Sequence, residues 1–111
     1  LNDPPYGTER SFNGLRMAHA LVKNDPDADI TVFLMADAVL CAKARQKTPD
    51  GYYNLERMIG RVLTARGRVL MCGACMDARG LAARDMMEGP TRSTMDERAL
   101  ATLAADKVLV F

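Results

Sequence analysis

The hydrophobic pattern along this chain alternates between helical stripes and short continuous apolar runs. Phe12, Leu15, Ala18, Leu21 and Val22 recur at helical spacing, and Thr8 stands where a cap would, so a helix is predicted from about Glu9 to Lys23. Asn24-Asp25-Pro26-Asp27 ends it. Ile30 to Met35 is a short run rich in β-formers, the pattern of a strand buried on both faces of a parallel sheet. Ala36 to Ala44 reads as a short helix with Asp37 in its first turn, and Arg45 to Tyr53, centred on Pro49-Asp50-Gly51, as a loop.

The clearest helix follows. Asn54 is a good cap, and Leu55, Met58, Ile59, Val62 and Leu63 fall at i, i+3, i+4, i+7 and i+8, with Gly67 as the natural stop. Val69 to Cys72 reads as a second buried strand that turns through Gly73-Ala74 into a helical stretch starting near Cys75. Gly80 and Gly89-Pro90 break the next segment into short helical pieces. Thr94 and Glu97 form a capping box for a helix through about Ala104, and Val108 to Phe111 reads as a last apolar strand. Strands separated by helices predict an α/β fold, a three-layer α/β/α sandwich around a mainly parallel sheet.

Length and composition narrow the class. A chain of 111 residues holds one domain, residues 1–111, and its 49% hydrophobic and 26% charged residues are those of a globular protein. No apolar run is long enough to span a membrane, so no membrane partner is expected. Fifteen Lys plus Arg against fourteen Asp plus Glu leave a net charge of +1, which gives no field for steering nucleic acid. The chain opens on Leu1-Asn2-Asp3-Pro4-Pro5, which goes straight into turn chemistry. Asp3 to Tyr6 looks like a loop leaving a strand, so most of a first strand, roughly five apolar residues, is expected to precede Leu1.

Cys41, Cys72 and Cys75 are an odd number and too few for a disulfide scaffold, which favours reduced thiols and a cytoplasmic setting. In an open parallel sheet, ligands bind beyond the carboxyl ends of the strands. Three segments are expected there: Asp3 to Thr8, Ala36 to Cys41 and Cys72 to Asp77. Cys75, at a predicted helix start, has unpaired N–H groups and the positive end of the dipole near its sulfur, an environment that stabilises thiolate. Arg79 is one turn on and could add positive charge.

Each candidate also has a structural reading. Cys75 could simply pack a helix start, Cys72 could be a buried strand thiol as readily as a second reactive one, and Cys41 suits packing in an alanine-rich turn. Asp3, Tyr6, Glu9 and Asp37 could line the edge site or serve as loop and cap residues. His19, the only histidine, lies mid-helix and is expected to be structural. One CxxC without a second ligand pair does not make a zinc site, and Gly73-Ala74 lacks the pattern of a phosphate loop. No metal is expected.

At Cys72-Gly73-Ala74-Cys75-Met76-Asp77-Ala78-Arg79-Gly80 the sequence resembles the DsrE/DsrF-like (YchN-like) sulfur-relay family. Weaker matches lie at Asn2 to Arg10, Phe33 to Ala38, Gly51 to Glu56, Ser93 to Glu97 and Ala105 to Phe111, so the resemblance covers nearly the whole chain. It implies a three-layer fold, assembly into homotrimers or homohexamers, and a cysteine after a strand, here Cys75, that carries sulfur as a persulfide. The implied partners are sulfur donor and acceptor proteins or small persulfides, and no cofactor is required. Two other readings stay open: a thiol-disulfide oxidoreductase using Cys72 and Cys75 together, and a non-enzymatic homo-oligomeric protein that binds a small ligand or partner.

Overall fold

The computed structural model describes residues 1–49 and 53–111. Among these, three strands form an all-parallel sheet in the order β1 (Thr31–Leu34), β2 (Arg68–Cys72), β3 (Thr91–Ser93). In register, Val32 faces Val69 and Leu34 faces Met71 on one side of β2, and Met71 faces Arg92 and Cys72 faces Ser93 on the other. The predicted α/β class with a parallel sheet is therefore what the chain adopts.

Successive side chains in a strand point to opposite faces, and this divides the layers. Val32 and Leu34 are buried and join one core with Leu15 of α1 (Arg10–Asn24) and Leu55, Ile59 and Val62 of α2 (Leu55–Thr64). Helices α1 and α2 also pack against each other. Phe33 points the other way, where the Arg98 guanidinium of α4 (Met95–Ala104) lies 5.7 Å from its ring centroid. Helix α3 (Gly73–Asp77) and the 3-10 helix Ala36–Ala42 sit at the carboxyl ends of β2 and β1.

Two of the predicted helix caps are present. Asn54 Oδ1 accepts from Arg57 N at 3.0 Å at the start of α2, and Thr94 and Glu97 close the capping box of α4. Other expectations need correction. Thr8 does not cap α1: its hydroxyl donates to Asp3 Oδ2 at 2.9 Å, and Glu9 holds the cap position without a side-chain bond. The inward face of α1 is Ser11, Gly14, Leu15 and Ala18, while Leu21 is exposed. Gly14 is required there because a Cβ would stand 2.3 Å from Leu1 Cδ2 and 3.1 Å from the Phe111 ring.

Gly67 is not the left-handed stop of α2. Arg66 takes that conformation (φ 64°), and Gly67 follows because a Cβ would meet Val62 Cγ1 at 2.7 Å. The Ala36 to Ala44 helix proves to be a tighter 3-10 helix that ends at Ala42, and Lys43 bridges to Met86 instead. Strand β3 was not predicted, since Thr91-Arg92-Ser93 is a three-residue polar edge with no apolar run to betray it.

Val108 to Phe111 does not form a strand either. A strand needs a ladder, and the bonds here come from Asn2, whose backbone N–H and side-chain amide both donate to Phe111 O at 2.8 and 3.2 Å. Leu1 in turn lies along β1, with its amino group donating to Phe33 O at 2.9 Å and its carbonyl accepting from Met35 N at 3.1 Å. Leu1 and Asn2 thus lie between β1 and Phe111. Asp50 and Gly51 of the predicted loop, with Tyr52, lie outside the described residues.

Candidate functional site at the strand ends

Strand β2 ends on Cys72, and the chain turns at once into α3, which places Cys75 beside the start of the 3-10 helix that follows β1. The apolar run of β2 buries Cys72, which is 7% exposed, while the turn through Gly73-Ala74 leaves Cys75 half-buried with access to solvent. The sulfur of Cys75 accepts a hydrogen bond from Ala36 N at 3.2 Å. Ala36 is a non-glycine residue at φ +48°, a left-handed conformation that costs on the order of 1–3 kcal/mol.

Two arginine–aspartate pairs flank this turn. Arg79 donates from Nε and Nη2 to Asp37 Oδ1 at 2.9 and 2.6 Å, and from Nη1 to the Cys75 carbonyl at 3.0 Å, so one side chain ties α3 to the 3-10 helix. On the other flank Arg92 makes a two-pronged bond to Asp77, Nη1–Oδ1 at 2.9 Å and Nη2–Oδ2 at 2.6 Å. The guanidinium holds the Asp77 carboxyl below the usual carboxylate range.

The expected source of thiolate stabilisation needs correction. Helix α3 has only five residues and Cys75 is its third, so little dipole accumulates, and the Cys75 N–H is already taken by Cys72 Sγ at 3.3 Å. The donor that reaches the Cys75 sulfur comes from another element. Burial, reinforced by hydrogen bonding to the Cys75 side chain, pushes the Cys72 thiol up.

Of the residues singled out in the sequence, the structure gathers Cys75, Cys72, Arg79 and Asp37. Cys41 and Tyr6 have other partners. Cys41 is fully buried, its thiol making a long 3.9 Å contact to the Asp3 carbonyl, and burial pushes it up to about 11. Tyr6 donates its hydroxyl to Gln46 Oε1 at 2.6 Å and accepts from Leu55 N at 3.3 Å, near Tyr53. Among the described residues no hydrogen bond joins either of them to the Cys75 group. His19 Nε2 donates to the Met58 carbonyl at 2.9 Å, a satisfied structural histidine as expected.

Sequence reading missed Ala36 and Arg92. Nothing in the spacing signals a backbone N–H at Ala36, whereas Gly73 offered a faint clue to Arg92, because a Cβ there would meet the guanidinium at 2.8 Å. A cleft of about 320 Å3 opens on the Arg92 flank, between Met71, Met76, Leu81, Met86 and Met87. No group of three or more His, Cys, Asp or Glu side chains among the described residues is arranged to hold a metal ion.

A family model described as the DsrE/DsrF-like family matches residues 1–111. The chain belongs to the DsrE/DsrF-like family. This family is associated with sulfur relay. The DsrE/DsrF-like chain is 41% identical to Protein YchN of Escherichia coli (strain K12) over 111 residues, 99% of this chain and 93% of that protein. It is 32% identical to Uncharacterized protein MK0008 of Methanopyrus kandleri over all of this chain and 89% of that protein. Its fold matches the crystal structure of ychN protein from E. coli with a TM-score of 0.94 and 39% identity, covering 100% of this chain and 94% of the other. The three-layer DsrE/DsrF-like architecture expected from the sequence is thereby shown. No helix among the described residues is long and apolar enough to cross a membrane.

Proposed function

We propose that this DsrE/DsrF-like protein is a sulfur-relay carrier that holds sulfane sulfur as a persulfide on Cys75 and passes it between protein thiols. The observation that carries this reading is the contrast among three cysteines. Cys41 and Cys72 are buried with raised thiols, while Cys75 is half-buried at the strand ends with a backbone N–H on its sulfur. Loading is a thiol exchange: the Cys75 thiolate attacks the outer sulfur of a donor persulfide, the donor sulfur–sulfur bond breaks, and the donor leaves as thiolate. The reaction conserves electrons and uses no cofactor.

Donor and acceptor are proteins or small persulfides, the donor presenting a persulfide and the acceptor a thiol to the exposed side of Cys75. The proposed setting is the cytoplasm, where thiols stay reduced. The proposed assembly is a homotrimer or homohexamer, as the family resemblance implies. It would cover apolar side chains such as Leu100 and Leu103 of α4, which stand 67% and 84% exposed.

The proximity of Cys72 to Cys75 supports a second reading, a dithiol oxidoreductase. Intact-mass measurement after treatment with a persulfide donor separates the readings. A gain of one sulfur atom that Cys75→Ser abolishes and Cys72→Ser preserves is the result expected of a carrier. Equal loss in both variants favours the dithiol, and no gain in the parent protein leaves only a non-enzymatic binding role.

A further inference from the structure

The N–H of Ala36 is aimed at the Cys75 sulfur by a backbone conformation that an alanine adopts only under constraint. The constraint is visible. Arg79 grips Asp37, the next residue, and the Cys75 carbonyl with the same guanidinium, fixing the element that carries the N–H against the one that carries the sulfur. The N–H of Ala38 in the same 3-10 helix is occupied otherwise, donating to Asn2 O and Met35 O. Ala36 is the first residue of that helix, and its left-handed angle sets it apart from a regular helix start.

We infer that Ala36 is a positioning residue whose N–H stabilises negative charge on Cys75 Sγ, so that Cys75 is biased towards giving up sulfur. This rests on the carrier reading above. When an acceptor thiolate attacks the outer sulfur of Cys75–Sγ–SH, a new sulfur–sulfur bond forms as the Sγ–S bond breaks. Its electron pair passes to Sγ, the outer sulfur departs on the acceptor as a persulfide, and Cys75 is left as thiolate. Charge thus collects on the atom that the Ala36 N–H faces, as it would for any preorganised donor aimed at a leaving group. The same bond holds the unloaded thiolate ready for the next donor. The Arg79–Asp37 pair keeps the distance short without putting its own charge on the sulfur.

The test replaces one N–H by an oxygen atom. L-lactic acid in place of Ala36 turns the amide into an ester, and the full chain can be joined at Cys41, which lies downstream of the replacement. Circular dichroism checks the fold. Alkylation of Cys75 at neutral pH, read by peptide mass, is expected to fall about tenfold, as loss of one charge-assisted hydrogen bond implies. Single-turnover donation from the loaded protein to a small thiol is expected to slow about tenfold as well.

Ala36→Val, whose β-branched side chain cannot hold this backbone angle, is the second variant and should shift both readouts the same way. Alkylation and donation within twofold of the parent in both variants would overturn the inference. A parent protein that takes up no sulfur overturns the carrier reading and the donation half with it, while the alkylation rate still decides whether the N–H stabilises the sulfur.

Discussion

The guanidinium of Arg92 lies directly over Gly73, where a Cβ would stand 2.8 Å from Nε and 2.9 Å from Cζ. Glycine at the first residue of α3 thus lets an edge-strand arginine cross the turn and reach Asp77 at its far end. Gly73→Ala is expected to displace Arg92 and break the two-pronged bond. The cost to folding should be small, on the order of 1 kcal/mol, because an exposed arginine can swing away. The readout is the Asp77 carboxyl, followed by NMR titration, which should move up towards the ordinary range.

The same pair sets a pH dependence. Arg92 holds the Asp77 carboxyl below its unfolded value, so the contribution is present above about pH 4 and lost as pH falls through the lowered native value. Arg92→Gln should therefore flatten stability against pH in the acid range, measured by urea unfolding at closely spaced pH values. An unchanged acid slope would show that the pair is too well solvated to matter.

Cys41 gives a dependence of opposite sign. Burial raises its thiol from 9.0 to about 11, so the thiol form is favoured in the fold and stability is complete below about pH 9. It should be lost between about pH 9 and 11, by about 2–3 kcal/mol, as the unfolded thiol ionises first. Cys41→Ala should cost core packing but flatten this alkaline slope. In the native protein at pH 8, Cys41 should resist alkylation long after Cys75 has reacted.

Asn54 and Thr94 both cap helices, yet their loss should differ. Asn54 is buried, its Nδ2 also donates to Gln46 O at 3.0 Å, and α2 puts Leu55, Met58, Ile59 and Val62 into the core. Asn54→Ala should cost about 2 kcal/mol of global stability, read from the urea midpoint. Thr94 caps α4, a helix with no buried residue, so Thr94→Ala should mainly raise amide hydrogen exchange in Met95–Ala104 and leave the midpoint within about 1 kcal/mol.

Elements with a local cause were legible. The stripe of Leu55, Met58, Ile59 and Val62 required a helix that buries one face, Asn54 and Thr94 announced their caps, and the β-rich run at Thr31–Leu34 announced a strand. Elements whose cause lies in a neighbour were not. Thr8 looked like a cap until Asp3 took its hydroxyl, Val108 to Phe111 looked like a strand without a ladder to join, and β3 carried no apolar signal because it needs none at the sheet edge.

The candidate site divides in the same way. The sequence by itself determined that Cys75 follows an apolar strand in a tight turn, that Arg79 sits one turn on, and that Cys72 precedes it, because these relations are fixed by spacing along one chain. Only the tertiary structure decided that the Cys75 sulfur meets the N–H of Ala36, that Arg79 reaches across to Asp37, and that Arg92 crosses Gly73. It also decided that Cys41 is sealed in the core. The reason is that parallel strands bring their carboxyl ends together from positions about 40 residues apart, and hydrogen bonds across that junction depend on backbone angles that no residue pattern records.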